Sequence, residues 1–377
     1  MRDTVKGMAR IMASNNINNG IDQVLEAVKQ FGPNTDSYKE LGKIRVLRQD
    51  DLLLFNYTTE ATFSANWSAI ERICRGLIIH WPSATVAARP FDKFFNLGET
   101  PETALSALPA GPIEVTDKLD GSLGILYRQN NGNLAIATRG AFDGVQAQWA
   151  TAFLQQNYRD RLATLPTDIT LLFEIIYPDN RVVINYHGLT HLFVIGARRL
   201  DGQDFSYTEL SELTSHFALP LVRQEQVDSI DNLIQAAEER TGIEGWVVRF
   251  QNGLRVKVKT EEYRRLHRLI THMSPNHIRA EMLSGSFDTF LAMLPSEYQN
   301  EVVAIAAMIN AKIDAETLRI ETIFPTLPKG SRKEFALTVM SNHASDAAYL
   351  FALLDGKDIR LMILKNLDLS VQEDAFV

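Results

Sequence analysis

The chain has 377 residues, 45% of them apolar and 22% charged, with a formal net charge of −8. Such a length predicts two domains with a large core, and such a charge excludes a protein coated in basic residues for indiscriminate nucleic-acid binding. The single cysteine, Cys74, excludes an internal disulfide framework and fits a reducing cytoplasm, and the absence of a long apolar run argues against membrane association.

Residues 21–31 (IDQVLEAVKQF) have helical spacing and meet a stop signal at Gly32-Pro33. From about 40 to 100 the text is strand-like, in IRVLRQ, LLLFNYT, RGLIIHW and TVAARPF, and residues 99–112 form a connection rich in small residues and proline. The middle reads as hairpins. One turns at Asn130-Asn131-Gly132, one (TLLFEIIYPDNRVVINY) at Pro178-Asp179-Asn180, and one (GWVVRFQNGLRVKVKT) at Asn252-Gly253. Helical patterns lie between them at 143–163 and 208–240. Hairpins with intervening helices predict an α+β fold. Beyond about 268 the pattern is helical and acidic, with nine Lys/Arg against fourteen Asp/Glu from 269 onward.

A two-residue turn at Asn252-Gly253 pairs Val248 with Lys257 and Trp246 with Lys259. Arg255, Lys257 and Lys259 then share one sheet face with Glu244, Val248 and Trp246, while Leu254, Val256 and Val258 enter a core. Residues 249–268 hold seven Lys/Arg against two acids, a density that suggests a bound polyanion. A lone K-x-K is more often a solvated strand face, and KLDGS alone reads as an exposed lysine before an Asp-Gly turn. Taken functionally, Lys118 in KLDGS is a nucleophile whose pKa is lowered by burial and by cations such as Lys257 and Lys259. Glu174, inside the apolar run FEIIY, is costly there unless it meets a ribose hydroxyl, a cation, a metal or a structural arginine.

In order and spacing, KLDGS, LLFEIIY, EGWVVRF and VKVK resemble the motifs of the covalent nucleotidyltransferases, the polynucleotide ligases and RNA capping enzymes. CRGLI at 74–78, RPFDKFFNLGE at 89–99, FEIIYPDNRVV at 173–183 and VKVKTEEY at 256–263 narrow the likeness to the phage-type RNA ligase 1 family of ATP-dependent tRNA-repair ligases. That resemblance implies a nucleotidyltransferase domain over 1–268, with ATP-grasp-like antiparallel sheets and flanking helices, and a smaller all-helical domain over 269–377. Lys118 would attack the α-phosphate of ATP, giving lysyl-AMP and pyrophosphate. Arg75 and Lys93 would contact phosphates, Lys257 and Lys259 would grip the α-phosphate, and Val247, Val248 or Ile175 would face adenine. Glu174 would bind a ribose hydroxyl or metal-bound water, and Glu244 would help hold Mg2+, with Mn2+ as a substitute. Asp120 and Gly121 would shape the turn presenting Lys118, and Arg264, Arg265 and Arg268 are candidates for the RNA backbone by charge.

AMP would then pass to an RNA 5′-phosphate, and a 3′-hydroxyl would displace it, in RNA or tRNA repair by a monomer. Two alternatives remain: a tRNA-ligase type that requires a 2′-phosphate end, and an inactive RNA-binding relative. DNA ligases and capping enzymes usually follow the K-x-K motif with a β-rich domain, whereas helices follow here.

Overall fold

The computed structural model describes residues 20–369 apart from 65, 228, 272, 273 and 295. The chain divides into two compact units, one ending at Tyr263 and a second beginning at Arg264.

The first unit holds three sheets. β1 (Ile44–Gln49), β2 (Leu52–Tyr57), β3 (Arg75–His80) and β4 (Thr85–Ala88) form an antiparallel meander. β7 (Ser122–Arg128), β8 (Leu134–Thr138), β9 (Ile169–Ile176) and β10 (His191–Arg199) form a second sheet in the order β10-β9-β7-β8. The third has the order β11-β6-β12-β13-β5, built from β5 (Phe95–Asn96), β6 (Ile113–Lys118), β11 (Gln224–Glu225), β12 (Gly245–Phe250) and β13 (Arg255–Lys259). Only the β13–β5 pairing is parallel among the pairs described.

The apolar runs follow from burial on two sides. Every residue of β2, LLLFNY, is buried. Val46, Leu53 and Phe55 pack toward the helix Gly20–Phe31, while Leu52 and Leu54 pack with Ile125, Tyr127 and Leu172 of the second sheet. The outer face of that second sheet is covered by the helices Val145–Asn157 and Tyr207–Phe217 through Leu154, Phe173 and Leu210. The second unit is built around Val302, Ile309, Phe335 and Leu350 on the helices Ser296–Ile323, Arg332–Asn342 and Ala347–Leu354. This is the α+β fold with a helical C-terminal region.

Two expectations need correction. The run RVVINY is irregular rather than a strand, and β9 pairs with β10 instead. The backbone N–H groups of Val183 and Ile184 both donate to Asp120 Oδ2 at 2.7 Å, so a side chain satisfies what a strand partner would. The 244–260 hairpin is also one residue out of the expected register. Gly245 faces Lys259, Val247 faces Lys257 and Val248 faces Val256. Phe250 N–H donates to Leu254 C=O and Leu254 N–H to Asn252 Oδ1, so the loop has three residues, with Gly253 at φ 85°. A three-residue loop with glycine in the left-handed position shifts every pair by one.

Candidate active site

Lys118 is the last residue of β6, and Ser122 opens β7 in a different sheet. The segment Leu119-Asp120-Gly121 is therefore the crossing from one sheet to another. Gly121 has no positive φ; its need is for close approach, because a Cβ there would overlap the Ile175 carbonyl oxygen. Its N–H donates to Glu174 Oε1 at 3.0 Å. Asp120 is 4% exposed and anchors the crossing. Its carboxylate accepts from Val183 and Ile184 N–H and from the Tyr263 hydroxyl at 2.7 Å, and its own N–H donates to Tyr186 Oη at 2.7 Å. Asp120 and Gly121 thus position Lys118 by tying together β9, the 183–186 segment and Tyr263, not by forming a tight turn.

Across the third sheet, Gly245 of β12 lies between Lys118 of β6 and Lys259 of β13. At φ 139°, Gly245 breaks the alternation of β12, and the Glu244 carboxylate reaches the lysine face. Glu244 is 3% exposed and bridges both amines, with Oε2 2.7 Å from Lys118 Nζ and Oε1 3.1 Å from Lys259 Nζ. The next row places Thr116, Val247, Lys257 and Asn96 side by side. Lys257 Nζ lies 4.9 Å from the Phe94 ring centre and Arg75 Cζ 5.6 Å from it. Burial, followed by the charges of Lys93, Arg75, Lys118 and Lys259, pushes the Lys257 ammonium well below its usual range. A cluster of mutually repelling, half-buried cations is a site for a compact polyanion.

Lys118, Lys257, Lys259, Glu244, Glu174, Arg75 and Lys93 are therefore brought together. Val248 is not. It is fully buried on the opposite face of β12 with Trp246 and Val256, as the one-residue register change dictates. Ile175 also lies in a core, so Val247, half-buried in the lysine row, is the one of the three that faces the site. Arg255 belongs to the scaffold; it pairs with Asp204 at 2.6 Å and stacks 3.9 Å over Phe91. Arg264, Arg265 and Arg268 are exposed on the helix Glu261–Thr271.

Sequence reasoning missed Arg139, which donates to Tyr57 Oη at 2.5 Å and whose charge acts on both Arg75 and Lys93. Its only signal is an Arg-Gly pair, which here directly follows β8, whereas the Arg-Gly of CRGLI opens β3. It also missed Phe193, half-buried and paired with Glu174 across β9 and β10.

The expected lowering of the Lys118 pKa is overturned. Burial does push it down, but Glu244, Glu174 and Asp120 outweigh burial, and the amine is held above its ordinary value. Burial, reinforced by Glu244 and Asp120, pushes the Glu174 carboxyl up to about 7. Folded protein thus keeps this proton above the pH at which the unfolded chain loses it. The stabilisation is complete below the unfolded value of about 4.3 and is lost as pH rises through about 7. Glu174→Gln should therefore melt several degrees above the wild type at pH 8, an effect on the order of 2 kcal/mol. The gap should close near pH 4; calorimetry at both pH values checks this, and equal melting at pH 8 would refute the buried charge.

No group of three or more His, Cys, Asp or Glu among the described residues is arranged to hold a metal by itself. Glu174 and Glu244, both acting on Lys118, supply two hard oxygen donors beside the cation cluster. Such a donor set fits a magnesium-sized ion that takes its remaining ligands from phosphates and water.

The Lys-x-Asp-Gly crossing joins the sheet of the Lys-x-Lys strand to the sheet of the glutamate strand, so the motifs that resemble those of the nucleotidyltransferases meet across two sheets. More narrowly, the RNA ligase family model matches residues 73–263, half of the chain, and the chain belongs to that family. A putative RNA ligase of Thermovibrio ammonificans is 30% identical over 246 residues, covering 62% of this chain and 63% of that protein. The chain thus spans less than two thirds of that relative's length. An RNA ligase of Rhodothermus phage RM378 is 25% identical over 430 residues, 93% of this chain and 96% of that one. Among solved structures, an archaeal ATP-dependent RNA ligase aligns with a TM-score of 0.48 and 16% identity, over 77% of this chain and 78% of the other. Among the described residues no helix is long and apolar enough to cross a membrane.

Proposed function

We propose that this chain is an ATP-dependent RNA ligase that joins a 5′-phosphate to a 3′-hydroxyl through a lysyl-AMP intermediate, in the repair of RNA such as tRNA. One observation carries the reading: Lys118 and Lys259 flank a glycine in one sheet row, with Lys257, Arg75 and Lys93 beside them. Lys118 Nζ, as the neutral amine, attacks the α-phosphorus, the bond to pyrophosphate breaks, and the proton released as the N–P bond forms passes to water or to the departing pyrophosphate. Lys257 and Lys259 face the equatorial oxygens, whose charge grows in that step, and Arg75 and Lys93 hold the departing pyrophosphate. AMP then moves to an RNA 5′-phosphate, and the 3′-hydroxyl attacks that phosphate and releases AMP. Magnesium or manganese on Glu174 and Glu244 would neutralise phosphate charge.

Glu244 holds Lys118 charged in the free protein. Once that carboxylate turns to another cation, burial favours the neutral amine that the attack requires. The reading includes a cytoplasmic location and a monomer, with the adenylyl chemistry in the first unit and the helical region assisting RNA recognition.

Intact-protein mass after incubation with ATP and magnesium tests the first step. A gain of one AMP, with none from GTP, is expected; no gain with any divalent ion would favour an RNA-binding relative. Sealing should proceed on plain 5′-phosphate and 3′-hydroxyl ends, and a strict need for a 2′-phosphate would overturn the end chemistry proposed.

A further inference from the structure

Lys93, like Lys257, is held differently from Lys118 and Lys259. Glu244 neutralises Lys118 and Lys259, whereas no carboxylate lies within ion-pair distance of Lys93 among the described residues. Its ammonium instead lies 5.0 Å from the ring centre of Phe95, 5.2 Å from Trp67 and 6.0 Å from Tyr57. The rings form walls set on edge to one another. Tyr57 and Trp67 are 4.8 Å apart at 87°, and Trp67 and Phe95 are 5.8 Å apart at 63°. The Lys93 backbone N–H donates to Arg72 C=O at 2.7 Å, which fixes the stem.

Ring faces attract a cation through their quadrupole but carry no net charge. A carboxylate partner has to be displaced before a phosphate can bind, whereas an aromatic wall leaves the full charge available. The cage works alongside Tyr57 and the more distant Glu99 carboxylate against a local penalty, since burial and the neighbouring Arg75 and Arg139 disfavour the charged amine. Trp67 is half-buried and comes from the short segment before the helix Ala69–Ile73, remote in sequence from the nucleotidyltransferase motifs.

We propose that Trp67, with Tyr57 and Phe95, forms an aromatic cage that keeps the Lys93 ammonium charged and aimed, making Trp67 a positioning residue for the pyrophosphate part of the nucleotide. The proposal rests on the ligase reading for its ligand.

The test uses the full chain, inorganic tripolyphosphate by titration calorimetry, and adenylylation rates across ATP concentrations. Trp67→Leu should weaken tripolyphosphate binding about 3- to 10-fold and raise the half-saturating ATP concentration equally, with the saturating rate within about twofold. Trp67→Phe should restore both to within about twofold of the wild type. Fluorinated tryptophans placed at position 67 alone keep the shape and drain the ring face, so affinity should fall with each added fluorine. Unchanged binding in Trp67→Leu, or affinity indifferent to fluorination, overturns the cage. Should the leucine variant fold poorly, the fluorination series decides alone. Tripolyphosphate binding needs no chemistry. A wild type that binds it without forming lysyl-AMP sinks the ligase reading and leaves the cage standing; an active wild type indifferent at Trp67 does the reverse.

Discussion

Lys118→Ala will take up no AMP, and its adenylylation rate will fall by at least about 10³-fold. Lys118→Arg should be equally inert, because a guanidinium stays charged at every usable pH and has no free electron pair for phosphorus. Neither change should unfold the protein, since Glu244 keeps Lys259 at 3.1 Å. ATP binding should persist through Lys257, Lys259, Arg75 and Lys93. The informative comparison is with RNA that already carries AMP on its 5′ end. That substrate bypasses the first step, so Lys118→Ala should still seal it while failing on plain 5′-phosphate ends. Adenylylation in the alanine variant would place the nucleophile elsewhere. Loss of both activities would mean that Lys118 holds the site together instead of forming the bond.

The charge state of Lys118 carries the mechanism further. In the free protein three carboxylates hold its proton, while the lysine whose proton is loosened is Lys257. The proton of Lys93 is loosened as well, so the contrast separates the nucleophile from two of the lysines assigned to the phosphates. A permanently neutral Lys118 would weaken the cation cluster before the nucleotide arrived, whereas a Lys118 neutralised only after its carboxylate is engaged is activated in order.

Much of this was legible in the letters. KLDGS, FEIIY, EGWVVRF and VKVK converge in space, and two-sided burial explains why LLLFNY reads as a continuous apolar run. What failed did so for local reasons. The Asn252-Gly253 pair favours a two-residue turn, but the chain spends Gln251 in the loop as well, which sends Val248 to the core and Val247 to the lysines. Alternation put Glu244 on the right face by way of the wrong register; the cause is the backbone of Gly245. Asp120 looked like a turn residue because the three groups donating to its carboxylate lie more than sixty positions away. Trp67 and Arg139 carry no motif; Arg139, after a strand of the second sheet, meets Tyr57 of the first, and Trp67 meets Lys93 between Tyr57 and the third sheet's Phe95.

Gly245→Ala tests that backbone device directly. Its Cβ would overlap the Val258 carbonyl oxygen and sit 2.8 Å from Lys259 Cα, at a φ of 139° that L-residues rarely adopt. Relief requires β12 and β13 to part at the row that joins Lys118 to Lys259. The cost should be about 3 kcal/mol of stability, and adenylylation should fall at least about 100-fold, because displacing reacting groups by an ångström has that scale of effect. Gly242→Ala is the matched control: its φ is 72°, yet nothing lies within 4 Å of its Cβ. It should lose only about 1 kcal/mol and keep its activity. If the two variants adenylylate alike, positive φ alone explains the glycines, and the close approach of strands at Gly245 does not set the spacing of the lysines. If only Gly245→Ala fails, the missing side chain is what lets one carboxylate reach two amines.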